Sequence, residues 1–197
     1  MAGRTKMPSA FGKPVTTANR FGAVATPSAM TLVTTLTASA SASLSYTSFS
    51  SASYKTYMLV FNGWRAATAS GLAAYYSIDA GATYPTSSVD YLTIYPNSSP
   101  AFATVYGVGV TDHRLMQNLG DVAKTSGGGV LYFTYGVVAS ARSQLSGLLG
   151  GYTSPFVGSV PNMTSGTFDS TSEVNAIKFQ MSSGNITNGT IKIYGIT

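Results

Sequence analysis

Residues 54–61 read Tyr-Lys-Thr-Tyr-Met-Leu-Val-Phe, with Tyr57, Leu59 and Phe61 on one face of an extended chain and Met58 and Val60 on the other. Apolar positions on both faces predict a strand buried on both sides, ending at Asn62-Gly63. Residues 130–138 carry the same two-sided pattern, and residues 142–152 alternate weakly as their expected pairing partner. Residues 72–78 and 89–95 read as further strands. Between them stands Asp79-Ala80-Gly81, a turn sequence with glycine where positive φ is needed. Residues 102–110 alternate, with Phe102, Thr104, Tyr106, Val108 and Val110 sharing one side.

The weaker stretches are equally informative. Residues 31–53 are rich in Ser, Thr and Ala, and read as a linker or a first strand of low complexity. Residues 112–124 hold Leu115, Met116 and Leu119 at helix-like spacing, but Gly120 interrupts them and a loop or single turn is expected. Gly127-Gly128-Gly129 reads as a tight connection. At the C-terminus, residues 173–181 place Ile177, Phe179 and Met181 on one face. Residues 190–196 do the same with Ile191 and Ile193. With the turn residues between them, these two segments predict a β-hairpin. Strands at this spacing without helical interludes predict an all-β antiparallel sandwich, jelly-roll-like, preceded by an extended arm.

Composition sharpens this picture. Only 9% of the 197 residues are charged, while there are 27 Ser, 25 Thr, 13 Tyr and 21 Gly. A neutral, hydroxyl-rich surface replaces the usual charged one. The absence of cysteine excludes a disulfide scaffold, a zinc ribbon and a thiol nucleophile. No apolar run reaches the roughly 20 residues of a membrane helix, so membrane insertion is not expected. The N-terminus lacks the apolar core of a secretion signal.

Charge divides the chain. Arg4, Lys6, Lys13 and Arg20 fall in the first twenty residues with no acid among them, whereas the remainder carries seven basic and six acidic side chains. Pro8, Pro14 and Pro27 break regular structure in the same segment. Residues 1–40 are therefore expected to form a docking arm and residues 41–197 the sandwich. Phe11 and Phe21 are the anchors, and Arg4, Lys6, Lys13 and Arg20 meet acidic patches on a partner chain. Four basic groups over twenty positions are too sparse for a nucleic-acid arm.

Candidate chemistry is thin. His113, the single histidine, follows Asp112, but no Gly-x-Ser-x-Gly elbow accompanies it and an exposed loop position is expected. Asp79, Asp90, Asp112, Asp121, Asp169 and Glu173 are scattered singly, which suits turn capping better than a glycosidase pair. No Asp-x-Asp spacing supports calcium. No catalytic, metal or cofactor residues are assigned. Trp64, Tyr75, Tyr76 and Tyr84 are read as a sugar-stacking platform, an interface anchor or core.

The run from Asn175 to Ile196, NAIKFQMSSGNITNGTIKIYGI, closes on a strand of the form G-t-i-k-i-Y-G-i. Upstream stand Tyr54, Tyr57 and Leu59, the turn Ser77-x-Asp79-x-Gly81, and Arg142-Ser143. Over residues 50–197 this order resembles small β-sandwich structural proteins of tailed-bacteriophage virions. The resemblance implies a jelly-roll-like, oligomeric module used for head decoration or as a tail-fibre or receptor-binding head. The expectation is thus a non-enzymatic capsid decoration or cement protein, located in the virion after assembly in the host cytoplasm. It would join major capsid or tail subunits through its arm and form a homo-oligomer, a trimer by preference. The alternative is a tail-fibre or tail-tip protein that contacts host glycan.

Overall fold

The structure, a computed structural model, describes residues 30–96, 102–119, 126–136, 142–152 and 159–197. The expected docking residues Arg4, Lys6, Phe11, Lys13, Arg20 and Phe21 lie outside the described residues. The strands are β1 (Met30–Ser41), β2 (Ser43–Tyr46), β3 (Thr56–Ala66), β4 (Ser70–Ser77), β5 (Val89–Pro96) and β6 (Phe102–Val110). They continue with β7 (His113–Leu119), β8 (Gly127–Thr134), β9 (Ser143–Tyr152), β10 (Ser159–Phe168), β11 (Ala176–Met181) and β12 (Ile186–Ile196). They form two antiparallel sheets, one of eight strands in the order β1-β12-β3-β8-β9-β10-β5-β6 and one of four in the order β2-β11-β4-β7.

The expected β-sandwich is therefore present, and its strand order is that of a jelly roll with additions. Set aside the paired strands β5–β6 and β9–β10, and eight strands remain. Among these the first pairs with the eighth (β1–β12), the second with the seventh (β2–β11), the third with the sixth (β3–β8) and the fourth with the fifth (β4–β7). Such nested pairing is what one long hairpin produces when it is rolled into two sheets. The two added hairpins both join the same sheet beyond β8 and widen it to eight strands.

Alternation builds the core between the sheets. Tyr57, Leu59, Phe61 and Trp64 of β3 and Leu131 and Phe133 of β8 face Leu72, Ala74 and Tyr76 of β4 and Ile177 and Phe179 of β11, all buried. Each large side chain so buried contributes about 2 kcal/mol. The polar tips of the aromatic residues are also satisfied. The Tyr57 hydroxyl donates to the Ser50 carbonyl at 3.0 Å, Trp64 Nε1–H to the Thr190 carbonyl at 3.0 Å, and the Tyr135 hydroxyl to the Val174 carbonyl at 2.7 Å.

Several expectations need correction. Residues 30–40 lie in β1 and belong to the sheet and not to an arm, because β12 offers β1 a full edge to pair with. Asn62-Gly63 does not end β3. Gly63 adopts φ +65°, a left-handed conformation open to glycine, and the register shifts there while the strand runs on to Ala66. The triple glycine lies inside β8, where it pairs with β9. Residues 113–119 are a strand, since Leu115 and Leu119 bury on the sheet's inner side. The C-terminal hairpin does not form. β11 lies in the small sheet and β12 in the large one, so Ile177 and Phe179 meet the core from one layer and Ile191 and Ile193 from the other. Opposing the two apolar faces buries both. The Asp79 turn behaves as expected. Ala80 and Gly81 have positive φ, and the carboxylate accepts from the Ser77 and Thr83 hydroxyls and the Thr83 amide, which lowers its pKa to about 2.

Candidate functional site

His113 is the residue with most chemical potential, and its position corrects the expected exposed loop. It starts β7 with its side chain fully buried between the sheets. Its neighbours Asp112 and Arg114 point away and pair with each other at 3.6 Å. Around the ring stand Tyr76 of β4, Thr164 of β10 and Thr93 of β5. Tyr76 Oη lies 2.8 Å from Nδ1, Thr164 Oγ1 lies 2.7 Å from Nε2, and the Thr164 and Thr93 hydroxyls are 2.7 Å apart. Thr93 Oγ1–H in turn donates to the Arg114 carbonyl.

This chain has one consistent proton order. A backbone carbonyl only accepts, so Thr93 spends its proton there and accepts from Thr164. Thr164 then accepts from His113 Nε2–H, which leaves Nδ1 to accept the Tyr76 proton. Every donor and acceptor along the line is used, and the ring is neutral. Burial pushes the His113 pKa down to about 3 and raises that of Tyr76 well above its ordinary value. A ring with both nitrogens occupied has no lone pair for a metal and no free position for a substrate. The network instead pins the added strands β5 and β10 to the original sheet strands β4 and β7. Gly166 of β10 completes the fit: a Cβ there would meet the imidazole at 2.6–2.9 Å.

The four candidate aromatics separate. Trp64 and Tyr76 are buried core residues and cannot stack on a sugar, which corrects that part of the expectation. Tyr75 and Tyr84 are half-buried, and both rings hold the Lys178 ammonium, at 4.6 and 4.3 Å from the ring centroids. Among the acids, Asp90 and Asp169 share Arg142, at 3.4 and 3.0 Å. Among the described residues no three metal-ligating side chains cluster, and no helix is long and apolar enough to cross a membrane.

The feature that residue-by-residue reading missed is the outer face of the eight-stranded sheet. Opposite partners in an antiparallel sheet share a face. One cross-strand row runs Tyr106, Leu92, Ser165, Ser146, Tyr132, Met58, Tyr194, Leu32. The adjacent row runs Thr104, Ile94, Met163, Leu148, Val130, Val60, Lys192, Thr35. Lys192 is the one charged residue in the two rows. Between β8 and β5 the rows enclose a groove of about 580 Å³ lined by Leu92, Ile94, Val130, Tyr132, Leu148 and Met163. Beside it, Phe102, Tyr106 and Val108 stand up from β6 with 72%, 73% and 76% of their surface exposed. The two-sided apolar pattern of residues 54–61 and 130–138 is the signal for this face. One side of each strand enters the core, and the other lines the open surface.

Compared with protein-family models, with curated proteins and with solved structures, the chain matches none.

Proposed function

We propose that this chain is a non-enzymatic structural protein of a tailed-bacteriophage virion, a capsid decoration or cement protein. The observation that carries the reading is the outer face of the eight-stranded sheet. An apolar, nearly uncharged surface of this width is built to be covered by protein, because monomeric soluble proteins rarely leave more than a few hundred Å² of contiguous apolar surface open. The resemblance of residues 50–197 to virion proteins and the basic segment from Arg4 to Arg20 add the particle and the means of attachment. The fold by itself does not choose, since jelly rolls serve both capsids and lectins. The burial of Trp64 and Tyr76 and the occupation of Tyr75 and Tyr84 by Lys178 favour decoration over a glycan-binding tail fibre.

Copy number in purified particles tests the reading. Hundreds of copies per particle are expected. A few to dozens would mean a tail component, and absence from particles overturns the proposal. Deleting residues 1–25 should abolish incorporation while leaving the thermal midpoint of the sandwich unchanged. A truncated chain that still incorporates would remove the role given to the arm.

A further inference from the structure

We infer that the outer face of the eight-stranded sheet binds a second copy of this chain, with the β6 ridge of each copy seated in the β8–β5 groove of the other. The inference rests on the reading of this face as protein-covered, and not on the particle to which the protein belongs.

Size comes first. Leu92, Tyr132, Leu148 and Met163 are 45%, 44%, 51% and 60% exposed, and the ridge residues Phe102, Tyr106 and Val108 more so. At roughly 200 Å² for a large apolar side chain, these fractions leave on the order of 800 Å² open. That is about what each partner covers in a stable interface of ordinary size.

Shape comes second. A two-fold contact requires one patch to be complementary to itself. Here groove and ridge lie side by side on one face. The groove is centred between β9 and β10, and β6 lies between two and three strands away, roughly 12 Å at the usual strand spacing. A two-fold axis parallel to the strands, midway between groove and ridge, brings each ridge over the opposite groove. Two sheets stacked this way repeat the face-to-face packing of the sandwich itself.

Charge decides the occupant. The competing occupant is the N-terminal segment of the same chain, with Phe11 and Phe21. Its Arg4, Lys6, Lys13 and Arg20 would find no acid in the two rows, whose one charge is Lys192. A copy of the same surface brings only Lys192, toward the far side of the sheet, and beside the ridge Asp90, whose carboxylate is already held by Arg142 and by the Gly109 amide. Strand β6, at the sheet's edge among the described residues, points the same way. Phe102–Val110 contains no charged residue and no proline, the usual devices that keep a sheet edge free of partners.

The test uses the full chain and two outward-facing substitutions, Tyr106→Glu on the ridge and Leu148→Lys in the groove. Sedimentation equilibrium should give a dimer for the native chain at micromolar concentration. Each variant alone should dissociate at least 100-fold more readily, with its thermal midpoint within a few degrees of the native value. Mixed one to one, the two variants should recover the dimer. In the mixed dimer the introduced carboxylate on one ridge meets the introduced ammonium in the opposite groove, and the other ridge and groove are native. A monomeric native chain overturns the inference, as does a trimer or a mixture that fails to recover. If the native chain is monomeric and removal of residues 1–29 makes it associate, the arm is the occupant and the inference is wrong. Particle copy number is read separately, so a dimer found in no particle would refute the virion reading and leave this interface standing.

Discussion

His113 shows how little a residue's type says until its partners are known. Beside Asp112 in a Ser-rich chain it invites a catalytic reading, yet its ring is enclosed by Tyr76, Tyr91, Thr164 and Gly166 and spends both nitrogens on hydrogen bonds. The consequence is a pH dependence of stability. The folded pKa of about 3 lies below the ordinary 6.5, so the unfolded chain binds a proton more readily. The stabilisation is complete above pH 6.5 and is lost as pH falls toward 3, with a slope approaching about 1.4 kcal/mol per pH unit. Urea unfolding at pH 4, 5, 6 and 7 should show that slope in the native chain and its absence in His113→Gln. Equal slopes in the two proteins would remove the assignment. Asp79 acts in a lower window, between its ordinary 3.8 and about 2, and leaves the range above pH 4 to the histidine.

Strands are more legible in the sequence than their pairings. Residues 72–78, 89–95 and 102–110 carry enough alternation to be recognised, and the β8–β9 pairing follows from neighbouring strands joined by a short segment. β7 is hidden because Leu115, Met116 and Leu119 suit a helix as well as a bulged strand, and its pairing with β4 does shift register. β11 and β12 carry the same alternation whether they pair edge to edge or face one another across the core, so nothing local contradicts a hairpin. Connection length makes the difference testable. Replacing residues 182–185 with Asn-Gly, which closes a two-residue hairpin, should bind β11 to β12 and pull one of them from its sheet. The expected result is loss of near-ultraviolet circular dichroism from the buried aromatics and of cooperative urea unfolding. Retention of both would mean that the crossing between sheets tolerates a tight turn.

The two added hairpins turn an ordinary jelly-roll sheet into one twice as wide as its partner. The small sheet covers the inner side through β7 and the His113 network, while among the described residues the outer side of β8, β9, β10 and β5 stays open and apolar. Contacts made there should respond to salt differently from contacts made by Arg4, Lys6, Lys13 and Arg20. Raising sodium chloride from about 0.05 to 0.5 M shortens the screening length from roughly 14 to 4 Å. Self-association through the sheet should change less than about threefold. Attachment to particles through the basic segment should weaken by far more. Sedimentation and particle co-pelleting over the same salt series measure the two, and equal responses would show that one surface serves both.

From its sequence alone this chain was bound to be all-β, poor in charge over its body and basic at its start, because side-chain period, turn residues and charge are local properties. It was also bound to carry strands with two apolar faces. Which strands pair, which face of β3 and β8 is left open, and where His113 goes were decided only in the tertiary structure. Sheet pairing uses backbone N–H and C=O groups that nearly every residue shares, so many pairings satisfy the same pattern. What selects among them is the simultaneous burial of both inner faces and the satisfaction of buried polar groups such as those around His113. Those conditions exist only once residues distant in the chain, such as Thr93, His113 and Thr164, are brought together.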